Sequence, residues 1–223
     1  MPNAWEVRID PSGPLDGALA TQEALLGRGG LAVHVAAVQT TVLSYGVGIS
    51  ADAPFVRHAE ALGVRAVRRS SGGAGVVHLA GDLVWGVVLP RTDPRVGRDF
   101  VRAAPRFGAG LIRALAARGL RSTWVPAPGL SEDCCPLGRL GHVLEVGGGI
   151  VAAVAQHVNR QALLHQGTLS RSVDRALLTE LFAFVDPSVA DRLTGVRECG
   201  VEAPAAELAG EVAAGLVAAL DAR

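Results

Sequence analysis

The sequence contains no lysine: all 21 of its basic residues are arginine. Without a lysine amine, the chain has no group for a Schiff base, a lysine general base or a lysine contact to nucleotide phosphates. The arginines are balanced by 21 acidic residues, so the net charge is zero and the isoelectric point is about 7.0. This balance gives no reason to expect nucleic acid or an anionic membrane as a partner.

Cysteines and long apolar runs are also scarce. The three cysteines, Cys134, Cys135 and Cys199, are odd in number and two are adjacent, which argues against a disulfide framework. They and the six histidines show no metal-ligand spacing, so no metal site is expected. The longest apolar stretch, residues 30–49, is interrupted by polar side chains and predicts two strands rather than a membrane span. The first residues show no signal-peptide pattern, and we expect a cytoplasmic protein.

The chain is otherwise globular in composition, with 49% apolar and 19% charged residues. Strand patterns and helix patterns alternate without the strict order of a parallel α/β fold. Helical spacing predicts helices over 15–26, 53–62, 94–118, 173–184 and 204–220. Strands are predicted near 31–48, 64–90, 120–125 and 142–169. The sequence therefore predicts an α+β fold with a mixed, largely antiparallel sheet flanked by helices.

The stretch RRSSGGAGVVH, residues 68–78, is the most informative part of the sequence. Small residues let a backbone approach a ligand closely, and successive N–H groups in a glycine turn can bind an anion. A neighbouring arginine can hold a phosphate or carboxylate through two parallel hydrogen bonds. The stretch lies between two predicted strands, unlike a P-loop, which precedes a helix. A hairpin loop with two surface arginines is the structural alternative.

The longer string RRSSGGAGVVHLAGDL, residues 68–83, resembles the signature of the lipoate–protein ligase A and octanoyl transferase superfamily. That signature has two arginines, a variable residue, a serine, three glycines, hydrophobic residues, His-Asp and Gly-Asn-Leu. The residues that match in register are Arg68, Arg69, Ser71, Gly72, Gly73, Val76, His78, Gly81 and Leu83. Departures occur at Ala74, Leu79 and Asp82. A second match comprises Ala155-Gln156 and LLHQGTL at 163–169.

The resemblance implies a fold shared with biotin ligases and an acyl-transfer function. Members activate lipoate with ATP or transfer octanoyl groups from acyl carrier protein. The acyl group ends on a lysine of a lipoyl domain or of a glycine-cleavage H protein. We thus expect a lipoate or octanoyl ligand. The implied ligand-binding residues are Arg68, Arg69, Ser71, Gly72, Gly73, Ala74, Gly75, His78, Ile150, Ala153, His165, Gly167 and Thr168.

One position departs sharply from the family pattern. Counting back from Ala155-Gln156 puts Ile150 at the place of the family lysine, which contacts the acyl carbonyl oxygen. Loss of such a donor typically costs about 10²–10³ in rate. ATP with Mg²⁺ is therefore disfavoured as a cofactor. The alternative function is a degenerate relative that binds lipoyl or octanoyl groups without transferring them. We also expect Ile150 to face the ligand site.

Cys135-Pro136 lies where one branch of the superfamily carries a nucleophilic cysteine. A thiolate there would accept the acyl group as a thioester and pass it on. His142, His157 and His165 are candidates for its activation, and a purely structural role for the cysteine pair is the alternative. The predicted domains are a catalytic domain over residues 1–185 and a C-terminal helical extension over 186–223, packed on it.

Overall fold

A computed structural model describes residues 4–95, 100–139, 141–183 and 186–222. Its helices are α1 (Leu15–Arg28), α2 (Pro54–Ala61), α3 (Phe100–Ala117), α4 (Arg175–Phe182) and α5 (Ala205–Asp221). Its strands are β1 (Glu6–Gly13), β2 (Ala32–Val38), β3 (Val42–Tyr45), β4 (Arg65–Arg68), β5 (Val76–His78), β6 (Leu83–Pro90), β7 (Ser122–Pro126), β8 (His142–Val146), β9 (Gly149–Val158) and β10 (Ala162–Leu169). Two short 3-10 helices cover Cys135–Leu137 and Pro187–Arg192. The domain boundary predicted at residue 185 lies outside the described residues.

The strands form a large mixed sheet and a small one. The large sheet has seven strands in the order β1-β2-β6-β10-β9-β8-β7. Only β1 and β2 are parallel, and every other neighbouring pair in this sheet is antiparallel. The small sheet has the order β4-β3-β5. The predicted α+β class with a largely antiparallel sheet is therefore confirmed.

The large sheet carries different layers on its two faces. Helices α3 and α5 cover one face, where Trp85, Phe107 and Leu216 belong to the main core. Helix α1 and the small sheet, with α2 and α4, lie on the other face. Strand β6 is buried over seven of its eight residues, as its apolar sequence LVWGVVLP requires in the middle of a two-sided sheet. The face that carries α1 and the small sheet also carries the candidate site.

Candidate functional site

Two loops meet at the centre of this face and are joined through their backbones. The first, the glycine loop, comprises residues 70–75 between β4 and β5. The second, the cysteine loop, comprises residues 131–138 between β7 and β8. Gly75 N–H donates to the Asp133 carbonyl, and Cys135 N–H donates to the Gly75 carbonyl, both at 2.7 Å. These two hydrogen bonds fix the position of Cys135 against the glycine loop.

Arg69 is the cation at the centre of the glycine loop. Its side chain is buried, with 5% of the residue exposed. The guanidinium donates to Ser44 Oγ at 3.1 Å, to the Gly72 carbonyl at 2.9 Å and to the Ala74 carbonyl at 2.8 Å. Burial lowers the pKa of this guanidinium from its ordinary value. No carboxylate among the described residues pairs with it, so its charge is available to an anionic neighbour.

The thiol of Cys135 lies in the same small space as this guanidinium. A Cβ placed on Gly73 would lie 2.9 Å from Arg69 Nη2 and 2.9 Å from Cys135 Sγ. Gly73 also has φ +89°, a conformation that residues with a Cβ rarely adopt. Glycine at this position therefore allows the cation and the thiol to come together. A cation in such proximity stabilises a thiolate and any oxyanion formed on it.

The two adjacent cysteines occupy different environments. Cys134 is 1% exposed and packs in the core with Leu137, Ile150 and Leu178. Burial raises the pKa of the Cys134 thiol, and the neighbouring Cys135 and Asp133 raise it further. Cys135 is only partly buried and lines the pocket that contains Arg69. Of this pair, Cys135 alone lines the pocket that contains Arg69.

A chain of hydrogen bonds connects Arg69 to the large sheet. Ser44 Oγ accepts from Arg69 and lies 2.8 Å from His78 Nε2, and His78 Nδ1 lies 3.2 Å from Thr168 Oγ1. Burial, followed by the charge of Arg69, lowers the pKa of His78 to about 3, so this imidazole is neutral. With the proton on Nδ1, Ser44 donates to His78 and His78 donates to Thr168, which satisfies each group. His78 therefore positions Ser44 and Arg69.

The alternation of side chains along strand β10 separates its predicted site residues. Gln166 Nε2 donates to Ser71 Oγ at 2.9 Å, so Gln166 and Thr168 share the face of the glycine loop. His165 points to the opposite face, where its ring stacks on Phe107 at a centroid distance of 4.1 Å. A Cβ on Gly167 would meet Trp85 on that same face. The sequence analysis missed Gln166, although the two-residue alternation of a strand would have paired it with Thr168.

A polar pocket occupies the space around Arg69 and Cys135. His78, Gln166 and Thr168 complete its polar wall, while the backbone of Gly167 forms part of the lining. The pocket continues between α1 and the sheet, where it is lined by the apolar residues Leu19, Val84, Ala153, Val154 and Ala155. It thus combines a polar head around Cys135 with an apolar tail under α1.

The backbone of the glycine loop adds unpaired donors to this polar head. The N–H groups of Gly72, Gly73 and Ala74 form no hydrogen bond within the part of the chain that the structure describes. Successive free N–H groups of this kind bind developing negative charge on a carbonyl oxygen. Arg68, by contrast, is exposed and donates to the Val47 carbonyl, away from the polar pocket.

Ile150 lines a second, neighbouring space, the apolar cavity. Val77, Leu79, Leu178 and Leu193 form much of its wall together with Ile150. Ile150 is 2% exposed and belongs to the core cluster that contains Cys134. It therefore lies beside the polar pocket rather than inside it. Ala153 lines both spaces.

The candidate histidines for thiol activation lie away from Cys135. His165 and His142 stack on aromatic residues, His142 on Trp124 at a centroid distance of 6.0 Å. His157 Nδ1 is 3.2 Å from Glu23 and 3.1 Å from Ser70 Oγ, at the α1 side of the glycine loop. The group beside the thiol is therefore the Arg69 guanidinium, which stabilises charge and does not accept a proton.

The apolar cavity offers no group that would hold the phosphates of ATP or a metal ion. Within the described ranges, no group of three or more His, Cys, Asp or Glu side chains is arranged to hold a metal. The apolar cavity contains no cationic side chain among its described lining residues, and Asp174 places a carboxylate there. Phosphates need cations or helix N–H groups that point at them.

In addition, no described helix is long and apolar enough to cross a membrane.

Comparison with solved structures defines the class of this fold. Lipoate-protein ligase A bound with ATP superposes with a TM-score of 0.77 and 18% identity, covering 97% of this chain and 86% of that one. A bipartite lipoate protein ligase from Thermoplasma acidophilum, solved in a study with its E2 lipoyl domain, gives a TM-score of 0.75 and 15% identity, covering 96% and 83%. At sequence identities this low, the structural similarity shows that these proteins share a fold with this chain.

The sequence itself establishes the family. Residues 30–217 match the family model of the lipoyl protein ligase A/B catalytic domain, and the chain belongs to that family. Octanoyltransferase LipM of Exiguobacterium sp. is 30% identical over 138 residues, which cover 56% of this chain and 48% of the relative. The chain spans about half the length of the curated relatives it matches.

Proposed function

We propose that this protein transfers an octanoyl or lipoyl group through a thioester on Cys135. The observation that supports this most directly is that Cys135 Sγ and Arg69 Nη2 both lie close to the position of a Cβ on Gly73. The site thus contains a nucleophile, a cation that stabilises its thiolate, and free backbone N–H groups for the carbonyl oxygen. The apolar part of the polar pocket offers the aliphatic surface that an acyl chain would contact.

The proposed reaction has two balanced steps. The Cys135 thiolate attacks the carbonyl carbon of an acyl thioester, a new carbon–sulfur bond forms, and the donor thiolate leaves and takes up a proton. The amine of an acceptor lysine then attacks the Cys135 thioester. A carbon–nitrogen bond forms, the Cys135 thiolate is released, and the amine proton passes to water. Arg69 and the glycine-loop N–H groups stabilise the oxyanion in both steps.

The donor and acceptor are proposed from the family resemblance and from the relatives. Two curated relatives are named octanoyltransferases, and the family resemblance includes transfer from octanoyl-acyl carrier protein, so we propose that donor. The structure of the archaeal ligase with its E2 lipoyl domain favours a lipoyl-domain lysine as acceptor. A glycine-cleavage H protein is the other acceptor of this kind. Use of free lipoate with ATP is disfavoured in this proposal, because counting back from Ala155-Gln156 puts Ile150 at the family lysine, and Ile150 lines an apolar wall.

The second candidate is a relative that binds the acyl group without transferring it. The replacement of the family lysine by Ile150 favours this function. It differs from the first proposal in one observable: a binding protein retains no covalent acyl group on Cys135.

Incubation with octanoyl-acyl carrier protein, read by intact-protein mass spectrometry, tests the proposal. The wild type should gain one octanoyl group and pass it to an apo lipoyl domain. Cys135→Ser should lower transfer by about a thousandfold or more, because a serine hydroxyl is a far weaker nucleophile without a base.

Cys199→Ser is the matched control, since Cys199 is also partly exposed and lies outside both spaces. It should transfer like the wild type. Equal transfer by wild type and Cys135→Ser would reject the thioester. Octanoate binding with no mass shift in any variant would instead establish the binding function.

A further inference from the structure

Three polar side chains, which we name the Glu23 cluster, meet beside the glycine loop. Ser70 Oγ donates to Glu23 Oε1, and His157 Nδ1 lies 3.2 Å from Glu23 Oε1 and 3.1 Å from Ser70 Oγ. The three residues belong to the glycine loop, α1 and β9, which are far apart in the sequence. Ser70 occupies the position that the family signature leaves variable, and neither Glu23 nor His157 is among the matched residues. The family pattern therefore does not specify this cluster.

The hydrogen-bonding capacity of the three groups defines how they are connected. An ionised carboxylate only accepts, so the Ser70 hydroxyl donates its single hydrogen to Glu23. The Ser70 oxygen then accepts from His157 Nδ1, which carries the proton in this arrangement. The same N–H group lies within reach of Glu23 Oε1. Glu23 thus fixes both the direction of the Ser70 hydroxyl and the tautomer of His157.

The glycine loop depends on such contacts because most of its residues have no polar side chain that could hold them. Residues 72–75 are Gly-Gly-Ala-Gly, and glycine has more backbone freedom than any other residue. The free N–H groups of residues 72–74 therefore take their direction from the contacts that hold the loop. Arg69 binds two of its carbonyl groups, and Gly75 pairs with the cysteine loop. At the start of the loop, Ser71 is bound to β10 and Ser70 to the Glu23 cluster.

The exposure of the Glu23 cluster separates its effect on geometry from its effect on stability. The side chains of His157 and Glu23 are 29% and 40% exposed. Water screens an ion pair of this kind, so it adds little to the free energy of folding. Geometry has a larger effect on rate, because misplacement of a group by about 1 Å can slow a reaction roughly a hundredfold. Loss of the cluster should therefore lower the transfer rate at a nearly constant melting temperature.

We propose that Glu23 is a positioning residue for acyl transfer, which acts through Ser70 to hold the free N–H groups of the glycine loop toward the carbonyl oxygen at Cys135. His157 supports Glu23 by donating from Nδ1. This inference rests on the proposed function, because it assigns the residues that orient the donors of that reaction. The oxyanion forms only during the reaction, so Glu23 acts on the maximal rate and leaves the half-saturating concentration of the donor nearly unchanged.

The rate of Cys135 acylation by octanoyl-acyl carrier protein, measured by intact-protein mass spectrometry at several donor concentrations, tests the inference. Glu23→Leu and Ser70→Ala should each lower the maximal rate by about tenfold and change the half-saturating concentration by less than about twofold. Glu23→Gln should retain most of the rate, because its amide oxygen still accepts from Ser70. The double variant Glu23→Leu/Ser70→Ala should be no slower than the slower single variant, since both changes break the same interaction.

Asp16→Ala is the matched control, because it removes another carboxylate from the same helix. Asp16 binds Arg65 at 2.9 Å rather than a residue of the glycine loop. This variant should acylate Cys135 like the wild type. Thermal unfolding, followed by circular dichroism, should give every variant a melting temperature close to that of the wild type, because each changed residue is exposed or half-buried.

The outcomes separate the inference from the function on which it rests. Absence of Cys135 acylation in the wild type would reject the proposed function, and the inference with it. With an active wild type, unchanged maximal rates in Glu23→Leu and Ser70→Ala would overturn the inference alone. Effects that multiply in the double variant, or a Glu23→Gln rate as low as that of Glu23→Leu, would also overturn it. A large fall in the melting temperature of Ser70→Ala would assign the cluster a structural role instead.

Discussion

Arg69 is the residue on which the site depends most. It is a buried cation whose hydrogen bonds go to a hydroxyl and two carbonyl groups, and no described carboxylate compensates its charge. Burial of a charge without a counter-ion carries a desolvation penalty, which the hydrogen bonds of Arg69 offset. Its retention beside a thiol is consistent with a role in stabilising an anion that forms during the reaction.

Arg69→Ala should therefore impair both acyl transfer and folding. Loss of a charge-assisted hydrogen bond of about 1.5–3 kcal/mol corresponds to a roughly 10- to 100-fold loss of transfer. The melting temperature should also fall, because the Gly72 and Ala74 carbonyls lose their donor. Steady-state transfer assays and thermal unfolding measure the two effects. Arg68→Ala should have a smaller effect on both, since its side chain is exposed; an equal effect would contradict the assignment.

His165 should make stability depend on pH without contributing to transfer. Burial, followed by the charge of His142, lowers its pKa to about 3 from an ordinary value of 6.5. The folded protein binds this proton less readily than the unfolded chain does. Its contribution to stability is thus complete above pH 6.5 and is lost as the pH falls toward 3, with a slope of at most about 1.4 kcal/mol per pH unit.

The variant His165→Phe removes this titration and keeps the ring stack on Phe107. Its melting temperature relative to wild type should rise as the pH is lowered from about 7.5 to about 4.5. His58→Gln, at an exposed position, should follow the wild type at both pH values. A constant difference between His165→Phe and wild type would show that protonation of His165 does not destabilise the fold.

The residue scale also shows what the sequence could and could not predict. The motif names Arg69, His78 and Thr168, which line the polar pocket together. It also names Ser71, which accepts from Gln166 beside that pocket, because each of these residues sits in a pattern of fixed spacing. The motif could not show that His165 points away from the polar pocket, because a matching string of residues does not state which face of a strand each side chain occupies. Gln166 was missed for the same reason.

At the scale of elements, the site depends on the close approach of three backbone segments. The turn after β3 packs against the glycine loop, and a Cβ on Gly46 would lie 2.0 Å from the Gly73 carbonyl oxygen. The cysteine loop pairs with the glycine loop on its other side. The glycine loop is thus held between two neighbours that are distant in the sequence.

Gly46→Ala should displace the glycine loop and lower transfer. The added methyl group cannot be accommodated without a backbone shift, which typically costs about 1–3 kcal/mol. Acylation of Cys135 should fall accordingly, as measured by mass spectrometry. Gly48→Ala is a matched control two residues away, where a Cβ would meet nothing within 4 Å. Normal acylation by Gly46→Ala would mean that the loop position is not critical.

Most elements were predicted from their patterns, and the failures have physical causes. The strands over 142–169 and the helices over 15–26 and 204–220 lie close to their predicted bounds. Strand β1 was not predicted, because its side chains are largely exposed at the sheet edge and include Glu6, Arg8 and Asp10. An edge strand with little buried surface leaves no clear hydrophobic signal.

At the scale of the whole molecule, the C-terminal helix shares the main core. Leu208, Val212 and Leu216 of α5 are buried in the cluster that contains Trp85 and Phe107. A Cβ on Gly215 would lie 2.5 Å from the Gly110 carbonyl oxygen, so α5 and α3 cross in close contact. The C-terminal extension predicted from residue 186 therefore packs as part of one core with the sheet.

A chain ending at residue 203 should fail to fold. Removal of α5 would expose the α3 residues Leu111 and Leu115 together with one face of the sheet. Soluble yield and circular dichroism measure the result, with a chain that lacks only residues 222–223 as control. A folded, cooperatively melting product of the shorter chain would show that residues 186–223 are a separable appendage.

The pairing between the glycine loop and the cysteine loop has a consequence for sequence change. Surface loops usually tolerate insertions and deletions. Here one added residue between Asp133 and Cys135 would break the hydrogen bonds to Gly75 or turn the thiol away from Arg69. The same constraint applies between Arg69 and Gly75. Segment 127–130 lies outside these hydrogen bonds to Gly75, and length variation during divergence should therefore concentrate there.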